Sequence, residues 1–157
     1  MWLLLAAFVA AQPPAPAPAG LPQASRAVGC NAIETPQGMM VIDRLPYMVF
    51  ETGSARITPQ AAATLDAFVA EYDAPAYCQM VIEGHADRVG SASRNLQLSQ
   101  HRANAVAAYL RRRGVTAPFV IRYHGETRPL VETPDEIAEQ QNRYVSIWIN
   151  DPHLPAQ

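Results

Sequence analysis

Along the middle of the chain, hydrophobic positions switch between a two-residue and a three-to-four-residue period, and each switch marks an element. Met39 to Phe50 is rich in Met, Val, Ile, Tyr and Phe and predicts a strand bent at Pro46. Thr58-Pro59 opens a helix, because Thr caps and Pro suits the first helical position. Ala61, Leu65, Phe68, Val69 and Tyr72 form its apolar stripe, and Pro75 ends it. Tyr77 to Gly84 is a second strand, with Cys78, Met80 and Ile82 on one face and Tyr77, Gln79, Val81 and Glu83 on the other. A polar, Gly-containing loop leads to a second helix over Asn95 to Arg113. Its inward face is Leu96, Ser99, Ala103, Val106, Ala107 and Leu110, and Gly114 stops it. Arg111-Arg112-Arg113 reads as a solvated helix end that complements the dipole. Pro118 to Tyr123 is a third strand. A long loop over 125–142 carries a short helical turn starting at Thr133-Pro134. Arg143 to Ile149 is the last strand, with Val145, Ile147 and Ile149 on one face. The order predicts an α+β, two-layer sandwich: a mixed four-stranded sheet with two main helices on one face.

The N-terminal stretch has no such period. Trp2 to Ala11 is apolar throughout and stops at Pro13-Pro14, the length of a signal-peptide core, so residues 1–11 read as an export signal. Residues 12–28 read as a Pro/Ala-rich, polyproline-type linker, 29–150 as the folded domain and 151–157 as a tail. With 157 residues, 49% apolar and 17% charged, the chain has material for one core. The net charge of −2 offers no basic field, which argues against nucleic acid as a partner. All 12 basic residues are Arg, which excludes a Schiff-base or P-loop lysine. Cys30 and Cys78 make an even count, and in an exported chain pairing is the default.

Catalytic signatures are missing: there is neither HExxH nor GxSxG. A metal site at His85, Asp87 and His101 is imaginable, but its spacing is not diagnostic, and neither metal nor cofactor is expected. The informative segment is Glu83 to Val106. A strand delivers Asp87 into a turn, and Asn95 and Arg102 follow about two helical turns apart on one helix face. A carboxylate facing a guanidinium has two readings. It is an internal salt bridge stapling loop to helix, the reading that spacing alone favours, or a receptor for a zwitterion. In the second reading Asp87 accepts from an ammonium and Arg102 grips a carboxylate.

Gly84-His85-Ala86-Asp87, Gly90, Asn95, Leu98-Ser99, Arg102-Ala103 and Val106 resemble the pattern G-H-T-D-x-x-G…N-x-x-L-S-x-x-R-A-x-x-V of the OmpA-like peptidoglycan-binding domain. Phe50 to Ala55 with Ile57-Thr58-Pro59 looks like that family's entry motif. Tyr123 to Glu126, Pro129 and Asn142-Arg143 look like its exit motif, so the resemblance runs from about Leu45 to Ile149. It implies a non-enzymatic domain that binds peptidoglycan through the diaminopimelate of the stem peptide. By the resemblance Asp87 takes the amine and Arg102 the carboxylate. Asn95 and Arg143 line the pocket, and backbone at Thr52 and Ala86 completes it. The resemblance also implies the periplasm of a diderm envelope, with tethering at the outer membrane and outer-membrane or periplasmic proteins as further candidate partners. The sequence departs from the pattern at Ala86 (Thr in the family), Glu51 (Asp) and Tyr144 (Arg). The alternative is an envelope interaction module that keeps the fold and has lost peptidoglycan binding.

Overall fold

Two β-sheets, two α-helices and a short 3₁₀ helix form the computed structural model, which describes residues 26–27, 30, 32–35, 38–41, 47–72 and 78–150. The export-signal stretch, most of the linker, Tyr77 and the tail lie outside the described residues. A small antiparallel sheet of order β1-β2-β3 comprises β1 (Arg26–Ala27), β2 (Ala32–Thr35) and β3 (Gly38–Val41). The main sheet has the order β4-β7-β5-β6, with β4 (Met48–Val49), β5 (Gln79–Gly84), β6 (Phe119–Tyr123) and β7 (Tyr144–Asn150). β5 pairs parallel with β6 and antiparallel with β7, so the sheet is mixed. Helix α2 makes the crossover between β5 and β6, since parallel neighbours need a connection of that length.

Helix α1 (Pro59–Glu71) starts where Thr58 Oγ1 accepts the Ala61 N–H at 3.1 Å. It buries Ala61, Leu65 and Phe68. Helix α2 (Ala92–Arg112) buries Ala103, Val106, Ala107 and Leu110 beneath the sheet. Met80, Ile82, Val145 and Ile147 meet these side chains from the strands, forming one apolar core. At one margin of the sheet Cys30 and Cys78 form a disulfide with Cα atoms 5.4 Å apart, packed beside Ile149.

Four expectations need correction. The strand expected over Met39–Phe50 is two strands in two sheets: β3 pairs with β2, whereas Met48 and Val49 pair with Val145 and Tyr144. In the sequence Pro46, which has no N–H to give a ladder, falls between them. Helix α2 begins at Ala92, capped by Ser91 Oγ, three residues ahead of the expected start. Leu96, expected inside, is 44% exposed, because the polar Asn95 takes the inward position. The short helical turn lies at Gln140–Asn142 rather than after Pro134; Glu136 has φ 61°, which no right-handed helix accommodates.

Candidate functional site

The site lies where the C-terminal end of β5, the inner face of α2 and the start of β7 meet. β5 has to come very close to α2 to deliver its end there. Gly84 allows this: a Cβ on it would collide with the Ser99 carbonyl. Beyond Gly84 the chain stays pinned. His85 N–H donates to Tyr144 O at 2.9 Å and Ala86 N–H to Gly125 O at 2.8 Å. Asp87 follows, and the turn through Gly90 (φ 93°) brings the chain to the Ser91 cap.

Asn95, Ser99 and Arg102 point inward from α2, and all three are buried. Arg102 is 0% exposed, the largest fully enclosed side chain among the described residues. Its guanidinium is held by three backbone carbonyls: Nε donates to Ser54 O (2.9 Å), Nη1 to His85 O (2.8 Å) and Nη2 to Glu51 O (3.0 Å). The Phe50 ring lies 5.5 Å away. A guanidinium carries five N–H donors. One N–H on each Nη therefore has no acceptor among the described residues. Burial pulls the Arg102 pKa down to about 10; Asp87 opposes that shift and Arg143 adds to it.

Arg143 arrives from the other side. Its N–H and the residue before it close the turn at Gln140–Asn142, and its carbonyl accepts from Phe50 N–H at 2.8 Å. Its Nε donates to Phe50 O (3.0 Å) and its Nη1 to Asp87 Oδ2 (2.9 Å). The structure therefore corrects the salt bridge that spacing favoured: the partner of Asp87 is Arg143, and Arg102 is bonded to backbone. Asp87 Oδ1 accepts no hydrogen bond among the described residues.

The remaining expected positions divide. Asn95 Nδ2 donates to Glu126 Oε2 at 2.6 Å, tying α2 to the loop after β6. Ala86 is buried and its N–H is already engaged. Thr52 lies on an exposed turn, and Glu51 and Ser54 supply the carbonyls that reach Arg102. The imagined trio of His85, Asp87 and His101 does not assemble: His101 is exposed on α2.

Three residues that the sequence reading named make contacts that it did not foresee. Ser99 Oγ accepts the Gly125 N–H (2.9 Å), which seats the loop on the helix. Asn142 accepts from Leu130 and Val131 N–H and donates to Val131 O, anchoring the long loop beside Arg143. His85 stacks on Tyr144 with ring centroids 4.1 Å apart. Burial, and next the neighbouring His124, bring the His85 pKa down to about 4, while burial lifts Tyr144 to about 12.

The OmpA family matches residues 49–143, spanning the whole of this site. The chain belongs to the OmpA family. Outer membrane protein P5 of Haemophilus influenzae is 40% identical over 73 residues, covering 46% of this chain but only 21% of P5. The peptidoglycan-associated lipoprotein of the same species is 34% identical over 122 residues, 74% of this chain and 79% of that protein. Among solved structures, the peptidoglycan-associated lipoprotein of Burkholderia pseudomallei superposes with a TM-score of 0.60 at 27% identity, covering 69% of this chain and 91% of that one. The C-terminal domain of Helicobacter pylori MotB shares the fold, with a TM-score of 0.56, 20% identity and 67% and 84% coverage. This OmpA-family domain is non-enzymatic, and it is periplasmic and associated with the cell envelope.

Proposed function

We propose that the domain binds peptidoglycan noncovalently and anchors the chain to the wall through the diaminopimelate of the stem peptide. One observation carries this reading: the donors and acceptors left over at the site. Asp87, Arg102 and Arg143 are all buried, and two guanidiniums against one carboxylate leave a positive excess. Among the described residues Asp87 Oδ1 is spare, as is one N–H on each Nη of Arg102. A free acceptor beside a pair of free donors, in a net-positive setting, complements an ammonium and a carboxylate on one carbon. Diaminopimelate presents that pair at the end of its side chain. In this reading Asp87 takes the ammonium and Arg102 the carboxylate, and the exposed turn at Thr52 shifts to admit them. Asn95 and Arg143 hold the walls, and the backbone at Ala86 and Thr52 forms the rim. Names of relatives support the same direction, two of them being peptidoglycan-associated lipoproteins.

Co-sedimentation with purified sacculi tests this. The domain pellets with diaminopimelate-type peptidoglycan and binds the lysine-type wall, which lacks the second carboxylate, tenfold to a hundredfold more weakly. That range follows from losing one charged contact worth about 1.5–3 kcal/mol. Equal binding to both walls contradicts the diaminopimelate assignment. Binding to neither leaves the interaction module as the function.

A further inference from the structure

Behind the site, on the sheet face away from the helices, three side chains with metal-ligating atoms meet. Glu83 is the penultimate residue of β5, His85 lies just past its end, and His124 follows β6. One ring nitrogen of each histidine and one carboxylate oxygen of Glu83 all lie within 4.8 Å of one another. We propose that Glu83, His85 and His124 bind a divalent transition-metal ion of borderline softness, with Zn²⁺ as the reference ion.

Two features support this beyond proximity. First, His85 Nδ1 and His124 Nε2 are buried and have no hydrogen-bond partner among the described residues. Such orphaned atoms are rare in folded proteins and ask for a ligand. His85 is only 4% exposed, so solvent does not readily supply one. Second, the ring placement suits a tetrahedral ion. With Zn–N bonds of about 2.1 Å, two imidazoles on one tetrahedral centre place their centroids about 5 Å apart. Here the His85 and His124 centroids are 5.0 Å apart. Stacking on Tyr144 fixes the His85 ring, and Glu83 Oε1 already lies 3.7 Å from His124 Nε2. Two imidazoles and a carboxylate leave a fourth position for water, a set that suits zinc. Arg122 contacts the same Glu83 oxygen at 3.3 Å, but its side chain is 58% exposed and free to swing into solvent. The His85 carbonyl holds Arg102, so one of the proposed ligands also supports the candidate site through its backbone. The metal site stands independently of the peptidoglycan reading.

The test uses untagged, chelator-treated protein and zinc chloride alone, with bound metal measured after equilibrium dialysis and the melting midpoint recorded with and without zinc. The wild type takes up one zinc per chain and melts higher with zinc. Glu83→Gln, which keeps shape, and His124→Ala, at the half-buried edge, each weaken binding at least tenfold and lose the zinc-dependent shift. Both are checked for a native circular dichroism spectrum first. His101→Ala binds as the wild type does. Cobalt(II) in place of zinc gives the intense visible bands of a tetrahedral site. No uptake by the wild type, or uptake unchanged in Glu83→Gln and His124→Ala, overturns the proposal.

Discussion

At the scale of single residues, Arg102 has two duties. It is the proposed grip on a carboxylate, and it is the tie between α2 and two other segments through Ser54, Glu51 and His85. A planar fork reaches three carbonyls in fixed directions, which an ammonium on a flexible stem does not reproduce. Arg102→Lys should therefore leave at least one buried carbonyl without a donor, at about 1–3 kcal/mol for each one. Urea denaturation checks this: the midpoint should fall while the slope stays the same. A midpoint equal to the wild type would show that charge alone suffices there. The motif drew attention to Asp87 and Arg102, both of which are buried at the candidate site. It was not enough to pair them, because Asp87 meets Arg143, 56 residues away, and no local spacing encodes that contact. Asn142 stood in the exit motif, but its partners were not legible: its three bonds go to backbone at Leu130 and Val131, and backbone partners leave no mark on side-chain pattern.

At the scale of elements, the close approach of β5 to α2 decides the site's geometry. Gly84 has no side chain to hold them apart, and the atoms that a Cβ would strike are backbone, which cannot rotate away. Gly84→Ala should force β5 and α2 apart, displacing Arg102 from the His85 carbonyl. Overpacking of this kind costs about 1–3 kcal/mol or more, and thermal melting together with sacculus binding should both decline. A variant that melts and binds like the wild type would mean that the helix moves aside freely. The periodic elements were legible: both helices, β5, β6 and β7 fall within a few residues of their expected bounds. The failures have physical causes. The apolar run before Phe50 serves two sheets, and period-two alternation does not name the partner strand. Leu96 fits the apolar stripe, yet the inward place belongs to Asn95, whose amide is needed against Glu126. A polar site built into a helix face displaces the hydrophobic periodicity that would otherwise reveal it.

At the scale of the whole molecule, a disulfide ties the chain ahead of the main sheet to the domain that carries the candidate site. The Cys30–Cys78 disulfide fastens the chain ahead of the main sheet to the residue that leads into β5. Closing that loop, with a separation of 48, stabilises the fold by about 4 kcal/mol in the chain-entropy model. Load on the N-terminal side would thus enter the fold at the start of β5, the strand whose far end leads to Asp87, an arrangement suited to an anchor. The central claim is that a zwitterion is held between Asp87 and Arg102. Titrating the ¹⁵N-labelled domain with a diaminopimelate-containing stem peptide, and following the backbone amide resonances, tests it most directly. The largest shifts should fall at residues 51–54, 85–87 and 142–143, and they should vanish in Asp87→Asn, which keeps the shape of the side chain and removes its charge. Shifts centred elsewhere, or shifts undiminished in Asp87→Asn, would contradict the account.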